Sequence, residues 1–224
     1  GQWDSRGDQV LSAAGALEAL DSLPADAPAA VSWGEGGSRT GWFGQAWEDV
    51  DGDGCDTRNE ILSRDLTDAD YSRANGIQSR DEGVGQGAAV CPDATVWSGT
   101  LHDPYTGSTI AFQRGQGTSE AVQIDHVVAL SNAWQTGAQD IGEEKRRELA
   151  NDPENLVAAD GPANMQKSDA DASDWLPGNT AYRCTYVARQ VHVKAKYRLW
   201  VTADEKRVME NVLNSCKDTN PVKK

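Results

Sequence analysis

Gln123-Ile124-Asp125-His126-Val127-Val128-Ala129-Leu130 opens the stretch on which this chain turns, and Asn164-Met165-Gln166-Lys167-Ser168-Asp169 closes it. Residues 121–130 are rich in Val, Ile and Leu and read as a strand with an Asp-His pair inside it. Asn155-Leu156-Val157-Ala158 reads as a second short strand, and Gly161-Pro162 then opens a helix carrying Asn164, Lys167 and Ser168. The local order is strand, excursion, strand, helix. Two of its asparagines, Asn155 and Asn164, stand nine positions apart after the acid and its neighbouring histidine.

Those residue types suit phosphodiester hydrolysis, which needs an activated water, charge neutralisation at phosphorus and help for the leaving oxygen. A neutral His can take the proton from water because its ordinary pKa lies near working pH. A divalent ion can supply the charge, and magnesium accepts one carboxylate and one amide oxygen while keeping several waters. Asp125 and Asn164 are the candidate metal ligands, His126 the general base, and Asn155 the residue that holds the His ring in register. One histidine among oxygen donors points to a hard metal, not zinc. Neighbouring strand residues face opposite ways, so the strand has to end, bulge or twist at Asp125-His126 for both to serve one site.

Outward from this stretch, residues 12–23 form a short helix stopped by Pro24, and residues 25–44 are a Gly-rich loop with Trp33, Trp42 and Phe43 as anchors. Residues 49–60, DVDGDGCDTRNE, place Asp49, Asp51, Asp53, Gly54 and Glu60 on the spacing of a calcium loop. Position eight of that loop is Asp56 where an apolar residue is usual, so a second reading stands beside it: an acidic turn leading into a helix over residues 60–66. Any such calcium would be structural. Residues 72–90 read as an exposed loop. Strands around residues 95–97 and 109–112 flank the turn His102-Asp103-Pro104-Tyr105-Thr106-Gly107. Helices are expected over residues 143–150 and 182–199. Thr202-Ala203-Asp204-Glu205 has the form of a capping box that starts a last helix, with Val208, Met209, Val212 and Leu213 on its core face.

A chain of 224 residues is long enough to bury a sizeable core, and no apolar run is long enough to span a bilayer. Residues 1–4 carry no basic-then-apolar leader, so an exported form would begin here already processed. Four widely spaced cysteines without a Cys-x-x-Cys pair argue for disulfides in an oxidising compartment; of three pairings, Cys55–Cys91 with Cys184–Cys216 keeps each bridge within one half of the chain. The net charge of −14 opposes binding to a polyanion. Residues 183–207 run the other way: seven basic side chains against Asp204 and Glu205 are the segment expected to hold a phosphate backbone.

The motifs resemble one family closely. GQAW with DGDGCDTRNEIL (residues 44–62), DPYTG (103–107), DHVVALSNAW (125–134), NDPENLVAADGPANMQKSD (151–169) and WLPGNTAYRCTYVARQVHVKAKY (175–197) look like secreted actinobacterial HNH endonucleases. Those enzymes are related to the C-terminal nuclease domain of GmrSD-type restriction enzymes. The resemblance implies an α+β fold in which a ββα-metal (HNH) core over residues 121–169 is embedded in a mostly helical, disulfide-bonded single domain. An N-terminal helix and loop (1–44) would precede it, and C-terminal helices (181–216) would follow. It implies His126 as base, Asn155 as its orienting residue, and Asp125 and Asn164 on one divalent metal, magnesium first and manganese second. Lys167, Arg58, Arg183 and Arg189 are the candidate phosphate contacts. The implied protein is a monomeric extracellular endonuclease of low sequence specificity, acting on DNA and secondarily RNA, with no membrane partner. The rival class is a non-catalytic, calcium-stabilised extracellular binding protein, which would rest on residues 49–60 and the acidic charge.

Overall fold

The two-stranded sheet that carries Asp125 and His126 is buried on both faces, and the rest of the fold is arranged around it. The computed structural model describes residues 12–29, 39–48, 56–73, 78–80 and 94–216. Strand β5 (Val122–His126) pairs antiparallel with β6 (Leu156–Asp160), Ile124 opposite Ala158 and His126 opposite Leu156. Strand side chains alternate between faces. Val122, Ile124, Leu156 and Ala158 join one hydrophobic cluster, and Val157 and Ala159 join another together with Val127. Both faces pack against core, which is why β6 reads as an unbroken apolar run.

The cluster on the first face is closed by a four-stranded antiparallel sheet and one helix. Strands β1 (Leu66–Arg73), β2 (Gln78–Arg80), β3 (Ala94–His102) and β4 (Thr109–Gln113) lie in the order β2-β1-β3-β4. Helix α3 (Thr57–Asp65) packs its Ile61 and Leu62 there. It begins three residues before the helix expected from sequence, because the Asp56 side chain accepts the Asn59 amide at 2.8 Å and caps the helix there. Strands β1 and β2 overturn the expected loop at 72–90 in part, since β1 reaches Arg73 and β2 lies within that span. A register shift between Thr67 and Tyr71 puts Leu66, Ala69 and Tyr71 inside, breaking the alternation by which a strand is recognised.

The other face meets helices. Helix α1 (Ala13–Ser22), capped by Ser12, packs with α7 (Arg183–Lys196) and α8 (Ala203–Cys216) over Val127 and Val157. The expected capping box is present: the Glu205 amide donates to Thr202 Oγ1 and the Thr202 amide to Glu205 Oε1, each at 3.2 Å. Met209 and Leu213 are fully buried, and Cys184 is bonded to Cys216 as expected. Cys55 and Cys91 lie outside the described residues. Among the described residues no helix is long and apolar enough to cross a membrane.

The excursion between β5 and β6 contains α4 (Leu130–Gln135) and α5 (Glu143–Asn151), which share a third core with α2 (Arg39–Phe43). Helix α6 (Gly161–Lys167) leaves β6 without a linker; Asp160 caps it by accepting the Ala163 amide at 2.9 Å. A methyl on Gly161 would overlap the Glu120 carbonyl oxygen, so only glycine lets α6 start this close to the chain entering β5.

Candidate active site

His126 is the last residue of β5, and its ring is held by the end of another element. Nε2 lies 2.8 Å from the carbonyl oxygen of Ala150 in the last turn of α5. A carbonyl only accepts, so Nε2 carries the hydrogen and Nδ1 is the basic nitrogen of the neutral ring. The indole of Trp47 stacks on the imidazole with centroids 5.6 Å apart and planes 10° from parallel.

Asp125, one residue earlier, is braced from beneath. Its Oδ2 accepts the Tyr105 hydroxyl and the Lys167 ammonium, the latter at 2.7 Å. Lys167 has no exposed surface, and its Nζ also donates to the carbonyl oxygens of His126 at 2.6 Å and Val127 at 3.1 Å. Those three bonds use all the donors an ammonium has. Burial, and then the charge of Asp125, pushes the Tyr105 hydroxyl well above its usual pKa, so it stays a donor. The strand ends here and its last carbonyls are gathered by a lysine, which is how neighbouring residues come to serve one cavity.

Asn164 stands one turn before Lys167 on α6, on the same side of the helix. Gln123 Nε2 donates to the Glu120 carbonyl at 3.3 Å, and its Oε1 accepts Asn164 Nδ2 at 2.8 Å. This chain of amides fixes Asn164 with Oδ1 as its remaining acceptor. Asp125, His126 and Asn164 line one open cavity of about 410 Å³ together with Trp47, Ser131 and Asp169. The bonds to Asp125 fall on Oδ2, so Oδ1 and the Asn164 amide oxygen are two hard donors at one site. Among the described residues no group of three or more His, Cys, Asp or Glu side chains could hold a metal by itself.

The model of the C-terminal domain of GmrSD restriction endonucleases matches residues 56–212. The chain belongs to this family. An uncharacterized secreted protein of Arthroderma benhamiae is 34% identical over 164 residues, spanning 72% of this chain and 68% of the fungal protein. No solved structure matches the chain. Of the cavity residues named above, all but Trp47 fall inside the segment that defines the GmrSD C-terminal domain.

Several residues of this GmrSD-type domain sit elsewhere than the sequence suggested. Asn155 does not reach the imidazole; it is fully buried, accepting the Val128 amide at 2.8 Å and donating to the Val128 carbonyl at 3.2 Å. It pins the segment after His126, and Ala150 takes the orienting role. Lys167 is no phosphate contact, since its ammonium is enclosed under Asp125. Arg189 is equally enclosed, donating to the carbonyls of Pro153, Glu154 and Leu156 at 2.7–3.0 Å, where β6 begins.

Most of the basic segment is corrected as well. Lys194 is buried against Glu205 at 3.1 Å, Lys196 pairs with Asp152 and Glu154 at 2.8 and 2.9 Å, and Arg207 pairs with Asp204 at 2.9 Å. Half-buried Arg183 donates to the Pro177 carbonyl at 2.7 Å. Helix α7 has core on most sides, so its cations are spent on nearby acids and chain ends. Arg58 is half-buried on α3; burial first and then Arg114 beside it lower its pKa. None of the described cavity-lining residues is Lys or Arg. Asp49, Asp51 and Asp53 lie outside the described residues, and Glu60 is in the first turn of α3. Exposed His102 lines a different cavity, with Asp65 and Asp103. Sequence reasoning gave no role to Tyr105 or Trp47, although each stands inside a motif quoted for the resemblance, DPYTG and GQAW.

Proposed function

We propose that this protein is an extracellular, metal-dependent endonuclease of the ββα-metal (HNH) type, hydrolysing DNA and secondarily RNA as a monomer with low sequence specificity. The observation that carries the reading is His126, its Nε2 tied to the Ala150 carbonyl, lining the same cavity as two hard oxygen donors from Asp125 and Asn164. The family of restriction endonuclease domains and the secreted fungal relative support it. So does the order β5, excursion, β6, α6, in which Asp125 and His126 at the end of β5 line one cavity with Asn164 of α6.

The donor set fits magnesium, with manganese second. Asp125 Oδ1 and Asn164 Oδ1 would hold the ion, and the small number of protein oxygens leaves the rest of its shell to water and phosphate. When bound, the ion supplies charge neutralisation at the scissile phosphate. His126 Nδ1 takes the proton of a water placed for in-line attack, and the Ala150 carbonyl steadies the imidazolium that results. Lys167 and Tyr105 keep the Asp125 carboxylate from rotating, and Asn155 keeps the turn after His126 from unwinding. The product carries a 5′-phosphate. Arg58 and Arg183 remain the candidate phosphate contacts, and with so few of them affinity is expected to fall only shallowly with added salt.

One gel assay tests the reading. Supercoiled plasmid, single-stranded DNA and RNA are incubated with Mg²⁺, Mn²⁺ or Ca²⁺, each with and without EDTA. Cleavage of DNA with Mg²⁺ or Mn²⁺ that EDTA abolishes is the expected result. No cleavage of any substrate under any metal, together with a melting temperature raised by Ca²⁺, would replace this reading by the calcium-stabilised binding protein.

A further inference from the structure

We infer that Trp47 is a positioning residue for His126, holding the face of the imidazole while Ala150 holds its edge; the inference rests on the nuclease reading above. The stack between the two rings is nearly parallel. Trp47 adopts φ +58°, a left-handed backbone that a bulky residue seldom takes unless its surroundings impose it. Those surroundings are specific.

The next residue, Glu48, is held at three points. Its amide donates to Asn151 Oδ1 at 3.2 Å, its carbonyl accepts Thr57 Oγ1 at 2.5 Å, and its carboxylate pairs with Arg147 at 2.8 Å. Thr57 Oγ1 also lies 2.9 Å from Asn151 Oδ1, so one buried amide ties the turn at 44–48 to the start of α3. On the other side of Trp47, Gly44 at φ +82° lies so close to the Arg147 side chain that a Cβ there would meet it at 3.0 Å. Asn151 directly follows Ala150, whose carbonyl takes the His126 hydrogen. The end of α5 therefore fixes the imidazole twice: directly through Ala150, and through Asn151, Glu48 and Trp47.

A loop anchor that merely filled space would need neither the near-parallel stack nor the strained backbone at the stacking residue. Trp47 also packs against the cluster containing Ile124, so its indole is wedged between the core and the ring it supports. Stacked on one face and bonded at Nε2, the ring is fixed while His126 still lines the cavity, which is what a base requires.

The test compares W47F and W47L with the wild type. The chain has three histidines, so the proton NMR spectrum resolves each imidazole, and H126A assigns the one in question. In the wild type the His126 ring protons are expected upfield through the indole ring current, and in W47L they move downfield. In cleavage, W47L is expected to lose about tenfold in kcat with KM within about twofold, as an interaction of about 1.4 kcal/mol made at the transition state would give. W47F keeps a stackable ring and recovers most of the rate.

Wild-type and W47L proteins that cut equally fast would overturn the inference. So would unchanged His126 resonances, or a loss in W47L confined to KM, which would make Trp47 a surface for substrate bases. A wild type that cuts nothing would remove the nuclease reading itself and is told apart from all three.

Discussion

The strand–strand–helix unit of β5, β6 and α6 and the helical pair α7–α8 both carry buried lysines, and they use them to opposite ends. Lys167 sits under the cavity and gathers the Asp125 carboxylate with two backbone carbonyls, so its charge sets the shape of the site. Lys194 is as deeply buried, but its partners are Glu205, the Trp200 carbonyl and Thr136 Oγ1, none of them a cavity-lining group named here. The difference teaches that the number of charges along a segment says little about its role. Residues 183–207 are the most basic part of the chain, and most of their cations close the fold onto itself.

Removing Lys167 should have the largest effect. K167M strands a buried carboxylate, which costs about 3–5 kcal/mol, and it lets the Asp125-His126 turn relax. Urea unfolding is expected to show that loss, and cleavage should fall with it even under conditions where the variant is folded. A K167M protein within about 1 kcal/mol of wild type would mean that Asp125 does not depend on the lysine.

K194M sharpens the contrast. It leaves Glu205 buried without its cation; burial pushes the Lys194 pKa down and the Glu205 pKa up, and the charge of each partner opposes the shift of the other. A loss of about 3 kcal/mol in stability is expected. Cleavage per folded molecule, and its dependence on salt, should not change. A weakened KM with a shallower salt slope would instead make the α7–α8 region a phosphate-binding surface after all.

The smallest effect belongs to the ion cluster on the outer side of α7. Burial raises the Glu154 pKa, but hydrogen bonds and charges from Lys196 and His192 outweigh it and hold the carboxyl below its usual 4.5. A carboxyl depressed in the folded state contributes stability above its unfolded pKa and loses it as pH falls through the folded one. Because the cluster is part-exposed, E154Q is expected to be less stable at pH 7 by about 0.5 kcal/mol. That gap closes as the pH is lowered below 4.5. Parallel thermal melts from pH 7 to pH 3 check this, and a gap that widened in acid would refute it.

How much of this was legible in the sequence differs between the same regions. Around the cavity, identity and spacing singled out Asp125, His126 and Asn164, and the structure brings all three to one cavity. The strand expected over residues 121–130 had an end, a bulge or a twist open to it at Asp125-His126, and the structure ends it at His126. The supports were not legible. Asn155 looked like a partner of the imidazole, but the orienting atom is the backbone carbonyl of Ala150, which no side-chain pattern can mark. Tyr105 reaches Asp125 from a turn some twenty positions away in the chain, and Trp47 depends on a backbone angle.

In α7 and α8 the first helix was favoured by its length and lack of turn residues, the second by its capping box and apolar stripe, and the Cys184–Cys216 bridge by keeping within one half of the chain. The roles of their cations were not, since sequence gives the charge of Arg189 and not its burial. In the four-stranded sheet, β1 was missed because its register shift breaks the alternation that would have revealed it.

The central claim, that His126 in this cavity is the general base of a nuclease, is tested most directly by plasmid cleavage with H126A at saturating Mg²⁺. Circular dichroism alongside confirms that the variant is folded. The account requires a loss of about 10²–10⁴ in rate with plasmid affinity retained. H126A protein that is folded and cuts at the wild-type rate would contradict it.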